Sequence, residues 1–189
     1  MRNFLRALIA IAPFAVASPY GVDPRDTSGC ASASSGDFAW TINAFTYSSS
    51  DVYSTPAHEV ASGTVTFDLS NPALPEKVRC SASNSATGIY FDGGIKYACS
   101  APVGSTTKTS FTYSEVGNEL RVNQTWTCND GNTVTFGGFG SVNFVLSCHT
   151  TFYQNPNYTG PSSGLYSIRS TNCDPVTLPL TPSEKTIVA

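Results

Sequence analysis

Apolar and polar residues alternate with a period of two along most of this chain. The clearest run covers residues 120–128, and one face of it carries five residues in alternating positions: Leu120, Val122, Gln124, Trp126 and Cys128. Shorter runs of the same kind occupy residues 38–43, 64–69, 77–82, 110–114 and 142–148. This period predicts β-strands with one buried face. We find no amphipathic helix pattern, and at most one helical turn is expected near residues 70–76.

Turn-forming residues separate these runs. Residues 116–119 and 129–132 carry Gly, Asn and Asp, which tolerate the backbone angles of tight hairpin turns. Residues 92–94 are expected to divide a further hairpin, with strands at 89–91 and 95–99. The glycine-rich residues 136–140 lack the lysine and the following helix of a phosphate-binding loop, so we predict a barrel corner or bulge there.

The strand count defines the fold class. Eight to eleven short strands joined by turns predict an all-β protein, with a single small antiparallel β-barrel or sandwich cross-linked by disulfides. We place this domain at residues 30–173. Residues 18–29 are expected to form a flexible segment, and the proline-containing residues 174–189 a disordered tail.

The N-terminus has the pattern of a signal peptide. Arg2 and Arg6 precede an apolar run at residues 7–16, and small residues then provide a cleavage site between Ala17 and Ser18. The run is shorter than the roughly 20 residues of a membrane-spanning helix. Residues 1–17 are therefore predicted to be removed, leaving an extracellular protein.

The charge of the processed chain excludes two classes of partner. Loss of Arg2 and Arg6 leaves 8 basic residues against 13 acidic ones, a formal charge of −5. A nucleic-acid-binding face or a polybasic membrane-binding helix requires the opposite sign. We expect neither a nucleic-acid partner nor a membrane partner.

Six cysteines follow the leader: Cys30, Cys80, Cys99, Cys128, Cys148 and Cys173. None forms a Cys-x-x-Cys pair, so a zinc or redox motif is absent, and an even number in an exported chain predicts three disulfides. Cys80 and Cys99 flank the hairpin predicted at residues 89–99, which suggests a first bond. Cys128 and Cys148 each end an inward-facing series, which suggests a second. The remaining Cys30 and Cys173 would then join the two ends of the domain.

Catalytic chemistry is weakly represented. The two histidines, His58 and His149, are far apart in the sequence, and no Gly-x-Ser-x-Gly motif occurs. The acidic residues that could supply a glycosidase pair all fall in turns or on polar faces: Glu59, Asp68, Asp92, Glu119 and Asp130. No spacing typical of a metal site is present. We predict a protein without enzymatic activity, metal or cofactor.

Two Asn-x-Thr sequons, at Asn123 and Asn157, are candidates for N-glycosylation on the secretory route. Asn123 belongs to the polar face of the best strand, whereas Asn157 lies in a loop rich in Pro, Asn and Gly. Because loops present asparagine more readily than paired strands do, Asn157 is expected to be the better acceptor.

A family resemblance adds to this reading. Residues 30–45, with the run Gly36-Asp37-Phe38-Ala39-Trp40, resemble the start of the mature Alternaria major allergen and its relatives. Three later segments fit the same order: Cys80-Ser81-Ala82, Tyr97-Ala98-Cys99, and Asn123-Gln124-Thr125-Trp126-Thr127-Cys128 before a cysteine strand at Cys148. The similarity spans about residues 30–150.

The resemblance implies a fungal secreted β-barrel that is recognised by plant defence or by IgE and has no established enzymatic centre. In the Alternaria allergen the cysteine matching Cys30 joins two subunits. Here Cys173, expected beyond the end of the family's domain, could bind Cys30 within one chain, so we favour a monomer over a disulfide dimer.

Three functions remain as hypotheses. The first is a non-enzymatic effector or elicitor that binds a plant apoplastic or defence protein. The second is a carrier of a flavonoid, lipid or other small aromatic ligand, because the chain contains 2 Trp, 9 Tyr and 11 Phe. The third, ranked last, is a wall-degrading hydrolase. A deep apolar cavity would favour the carrier, and a filled core with an exposed apolar patch would favour partner binding.

Overall fold

The computed structural model describes residues 29–188, which form one short α-helix, one 3₁₀ turn and eleven strands. The elements in chain order are α1 (Cys30–Ser35), β1 (Trp40–Thr55), β2 (His58–Ser70), β3 (Val78–Asn84), β4 (Tyr97–Ala98), β5 (Lys108–Ser114), β6 (Glu119–Cys128), β7 (Val134–Asn143), β8 (Cys148–Gln154), the 3₁₀ turn (Pro161–Ser163), β9 (Ser167–Cys173), β10 (Val176–Leu180) and β11 (Glu184–Val188).

The strands form two antiparallel sheets. The long sheet has the order β3-β2-β1-β9-β8, with β10 also paired to β1, and the short sheet has the order β11-β7-β6-β5-β4. They pack face to face as a sandwich and do not close into a barrel. The all-β prediction is thus confirmed, and the sandwich is the correct one of its two alternatives.

Aromatic side chains fill the space between the sheets. Phe67 of the long sheet lies between Phe45, with ring centroids 5.8 Å apart, and Phe111 of the short sheet, at 5.0 Å. The largest fully buried side chains include Trp40, Trp126, Tyr113, Phe45, Phe67, Phe91 and Phe111. The high aromatic content of the sequence is therefore used mainly for core packing.

The predicted alternation of β6 is confirmed in full. Its inward residues are buried, including Gln124, whose amide accepts a hydrogen bond from Asn71 Nδ2 at 2.8 Å and donates one to Thr109 Oγ1 at 3.1 Å. The flanking turns contain Asn118 with φ +45° and Gly131 with φ +95°, as turns of this kind require.

Four local predictions are wrong. Residues 89–91 form a loop, and only Tyr97–Ala98 of the second predicted strand is a strand. The run 142–148 is interrupted, since β7 ends at Asn143 and β8 begins at Cys148, where the chain crosses from the short sheet to the long one. Helix α1 was not foreseen. The glycine-rich residues 136–140 lie within β7 in regular register with β6, so neither a corner nor a bulge forms there. Glycine is needed at Gly138, where a Cβ atom would come within 2.8 Å of the Trp40 ring.

The predicted disorder of the C-terminal tail is also wrong for the residues described. β10 pairs with β1, and β11 pairs with β7. Val176, Leu178 and Leu180 alternate with polar or proline residues, and Leu180 is buried. Proline is compatible with the position of Pro179, because a strand at the border of a sheet can leave a backbone donor unpaired.

The predicted signal peptide, its cleavage site at Ala17 and Ser18, and nearly all of the segment 18–29 lie outside the described residues. Within residues 29–188, no helix is long and apolar enough to cross a membrane.

One end of the long sheet extends beyond the short sheet. We call this part the overhang and define it by residues 47–55, 58–64, 148–154 and 166–172. Along β1 its residues are half-buried, and all seven residues of β8 are exposed. Since directly paired residues point to the same side of a sheet, the register assigns each side chain of the overhang to an inner or an outer face.

Candidate partner-binding surface

The disulfides join Cys30 to Cys128, Cys80 to Cys99, and Cys148 to Cys173, so all six cysteines are bonded. The Cys80–Cys99 prediction is confirmed, whereas Cys128–Cys148 and Cys30–Cys173 are wrong. Cys128 ends its strand in the core of the short sheet, and α1 brings Cys30 beside it. Cys148 lies opposite Cys173 in the register of the long sheet.

This pairing changes the argument about subunits. The bond to Cys128 occupies Cys30 within its own chain, so the predicted capture by Cys173 is not needed to keep Cys30 from a second subunit. The monomeric state itself stays a prediction.

The two histidines lie at separate surface positions. His58 Nδ1 is 2.9 Å from Ser54 Oγ at the exposed end of the β1–β2 hairpin, and His149 Nε2 is 3.8 Å from a carboxylate oxygen of Asp174. Neither pair lines the cleft described below. The Ser54–His58 contact lies on an exposed hairpin, whereas acyl transfer requires an enclosed site with oxyanion donors.

The candidate glycosidase carboxylates are dispersed, and most have structural partners. Asp68 pairs with Arg79 at 3.1 Å, and Glu119 pairs with Arg121 at 2.9 Å. Asp130 accepts the Ala31 N–H of α1, and Asp92 accepts the Gly94 N–H. Glu59 differs, because it lines a cleft. Residues 29–188 contain no group of three or more potential metal ligands.

Both sequon asparagines are exposed. Asn123 lies in the middle of the short sheet, paired with Ser110 of β5 and Phe139 of β7. Asn157 lies in the loop after β8, where its backbone N–H donates to Asn155 Oδ1.

We expect a glycan on Asn157 and a lower occupancy on Asn123, because a strand inside a sheet restricts access of the acceptor side chain. Mass spectrometry of the secreted protein after enzymatic deglycosylation would measure each site. Asn157→Gln should remove most of the glycan mass, and Asn123→Gln serves as the matched control. Higher occupancy on Asn123 would contradict this expectation.

An apolar row crosses the outer face of the overhang. The register aligns Val60 of β2, Val52 of β1, Ile168 of β9 and Tyr153 of β8 side by side. Val60 is 59% exposed and Tyr153 is 55% exposed. Val52 and Ile168 between them are half-buried, so the four side chains form a continuous apolar row that is partly open to solvent on one sheet face.

The surroundings of the apolar row carry hydroxyl groups in place of charges. The adjacent row on the same face consists of Ser62, Ser50, Ser170 and Thr151. Beyond the row, Tyr166 packs edge-to-face on Tyr158 with centroids 5.1 Å apart, and its hydroxyl oxygen accepts a hydrogen bond from Gln154 Nε2 at 3.2 Å. An apolar centre with tyrosines and few charges is the composition found in the middle of protein interfaces.

Strand β8 adds a second feature at the same place. It is an edge strand of the long sheet, so one side of its backbone is unpaired within the described residues. An exposed edge of this kind can accept a strand from another protein, with neighbouring side chains adding specificity. Sequence analysis missed this surface, although Val52 and Val60 stand out in an otherwise polar stretch.

The fold and this surface define a class: a small β-sandwich with three disulfides, a packed core and an apolar row on one uncovered sheet face. Residues 42–173 match the model of the family described as Alternaria alternata allergen 1, and the chain belongs to that family. The match confirms the resemblance, and it includes Cys173, which had been expected beyond the family's domain. No curated protein and no solved structure matches the chain.

Proposed function

We propose that this allergen-like protein is a secreted, non-enzymatic effector or elicitor that binds a plant extracellular protein through the apolar row and the β8 edge. The observation that carries the proposal is the in-register alignment of Val60, Val52, Ile168 and Tyr153 on an uncovered face. Family membership and the three disulfides are consistent with secretion.

The charge of the molecule supports a basic partner. Residues 29–188 contain 7 basic and 11 acidic side chains, a formal charge of −4, while the apolar row and its hydroxyl neighbours are uncharged. An acidic molecule attracts a basic partner over distance, and an uncharged apolar centre then supplies contact energy without burying unpaired charge.

The carrier alternative lacks a comparable observation. The aromatic side chains on which it rested pack against one another in the core. The cleft of about 390 Å³ on the inner face of the overhang is open to solvent, whereas the apolar ligand of a carrier is usually enclosed.

The test is capture of plant apoplast proteins on the immobilised protein, combined with infiltration into leaves. Val60→Glu and Tyr153→Ser should each reduce retention of the captured protein about tenfold or more, equivalent to roughly 1.4 kcal/mol. The leaf response should fall with them. Val116→Glu is the matched control, because Val116 is 74% exposed in the distant β5–β6 turn.

Equal retention by the wild-type protein and both row variants would overturn the proposal, as would a leaf response that persists after reduction and unfolding of the protein. Hydrolysis of wall glucans, xylan, chitin, peptides or esters by the purified protein would instead support the enzyme class.

A further inference from the structure

The inner face of the overhang, opposite the apolar row, forms a cleft of about 390 Å³. Its lining comes from β1, β2, β9 and the loop at residues 88–90, and it includes Tyr47, Asp51, Glu59, Tyr90 and Arg169. A volume of this size lies within the range of small-molecule sites. No function so far has been assigned to this cleft.

One wall of the cleft is fixed in place by a single carboxylate. Glu115 accepts the Tyr47 hydroxyl with one oxygen at 2.8 Å and the Tyr90 backbone N–H with the other at 2.9 Å. The Tyr90 hydroxyl in turn donates to Asp51 Oδ1. Burial, and then the hydrogen bonds to carboxylates, raise the pKa of Tyr47 and of Tyr90, so both phenols stay protonated donors.

A glycine allows this wall to form. A Cβ atom at Gly63 of β2 would come within 2.6 Å of the Tyr90 side chain, so the ring can approach the sheet only where the strand lacks a side chain. These contacts hold this wall of the cleft in place before any ligand arrives, which reduces the entropy lost on binding.

The cleft contains both hydrogen-bond donors and hydrogen-bond acceptors that a ligand could use. Arg169 lies directly opposite Asp51 in the register, yet its guanidinium makes no hydrogen bond or ion pair with the residues described. Asp51 has a second oxygen beyond the one bonded to Tyr90, and Glu59 lines the next row beside Tyr53. The guanidinium only donates hydrogen bonds and the carboxylates only accept them.

An exposed aromatic ring lies beside Arg169 on the inner face. Phe152 of β8 pairs directly with Arg169 and so lies on the same inner face, where 66% of its surface is exposed. A ligand of this cleft would need to hydrogen-bond the charged groups and to pack on the aromatic ring. Sugars do both: two adjacent hydroxyls can hydrogen-bond one carboxylate or one guanidinium, and the C–H face of the sugar ring can pack on an aromatic side chain.

We propose that this cleft binds an uncharged sugar of one or two rings. A cation placed at Asp51 would meet the Arg169 guanidinium, and an anion placed at Arg169 would meet Asp51 and Glu59. A neutral ligand that both donates and accepts hydrogen bonds can bind Asp51, Glu59 and Arg169 together. This site is independent of the partner-binding surface, because the two occupy opposite faces of the overhang.

The experiment is a titration of the ¹⁵N-labelled full secreted protein, followed by NMR. The neutral probes are cellobiose, maltose, xylobiose and N,N′-diacetylchitobiose, and the charged probes are choline, lysine and citrate. We expect saturable shifts at Asp51, Gly88 and Arg169 with at least one neutral sugar, with a Kd of about 1 mM or tighter.

Arg169→Gln and Asp51→Asn should each weaken that binding about tenfold. Asp51→Asn keeps an acceptor for the Tyr90 hydroxyl, and Arg169 is exposed, so both variants should fold, as thermal unfolding will show. Arg79→Gln, which removes the same charge from an ion pair with Asp68, is the matched control and should bind normally.

Absence of neutral-sugar binding would overturn the proposal, as would preferential binding of choline, lysine or citrate. Binding that is unchanged by Arg169→Gln would overturn it too. Val60→Glu should leave sugar binding intact, so failure of this site and failure of the partner-binding surface give different results.

Discussion

The double variant Cys30→Ser/Cys128→Ser is expected to lose about 4.7 kcal/mol of unfolding free energy, the largest loss for any of the three bridges. This bond connects residues 98 positions apart, and the chain-entropy model gives about that value for a loop of roughly 100 residues. A loss of this size is a large part of the 5–15 kcal/mol stability typical of a domain. Urea unfolding followed by far-UV circular dichroism would measure it.

Cys148→Ser/Cys173→Ser is the matched comparison, because its bridge spans only 25 positions and should contribute about 3.5 kcal/mol. Peptide mapping without reduction should recover Cys30 linked to Cys128. A larger loss from the Cys148–Cys173 pair would contradict the entropic argument, and a dimer that dissociates on reduction would contradict the intrachain bond of Cys30.

Trp126→Ala is expected to lose about 3–5 kcal/mol, because it removes a large buried side chain from the contact between α1 and the short sheet. The Trp126 ring stacks on Phe136 with centroids 5.9 Å apart and meets Phe38 edge-on at 5.9 Å. Its Nε1–H donates to Ser34 Oγ at 2.8 Å, which ties the helix to β6. The same urea experiment applies.

Trp126→Phe separates the two contributions. It keeps most of the ring packing and removes the hydrogen bond to Ser34, so a loss of about 1 kcal/mol is expected. Equal losses in the two variants would show that packing around Trp126 matters less than its hydrogen bond.

The inward face of β6 shows how much of the fold the sequence could predict. Strict alternation over residues 120–128 determined which side chains are buried, and even the polar Gln124 was placed correctly on the inward face. Its partners Asn71 and Thr109 come from other strands and loops, so the pattern alone could not name them. Periodicity thus predicts faces, while partners depend on tertiary packing.

Two of the three disulfide pairings were predicted wrongly for a similar reason. Cys128 and Cys148 both end inward-facing series, but the chain changes sheets between Asn143 and Cys148. A crossing of this kind alters no local pattern, since the residues on either side still alternate. The pairing of Cys30 depended on α1, whose six residues are too few to give a helical period.

The two candidate binding faces could not be predicted from the sequence, because the strand segments that form them are largely polar. Tyr47, Ser49, Asp51 and Tyr53 point to the inner face but are largely polar, so no alternating apolar pattern marks this face in the sequence. Only the position of the short sheet, which stops before the overhang, reveals that one face holds a cleft and the other an apolar row. Where a sheet is left uncovered cannot be predicted from the period of its strands.

Strand β11 has a consequence for solubility. Without it, β7 would be the border of the short sheet, and β7 is a glycine-rich strand without a charged residue. Such an edge invites pairing with another molecule, whereas β11 presents Glu184 and Lys185 in its place. A single proteolytic cut at residues 181–183 would separate β11 from the rest of the chain and expose the edge of β7. The cleaved protein would then be prone to form ordered aggregates while its core stayed intact.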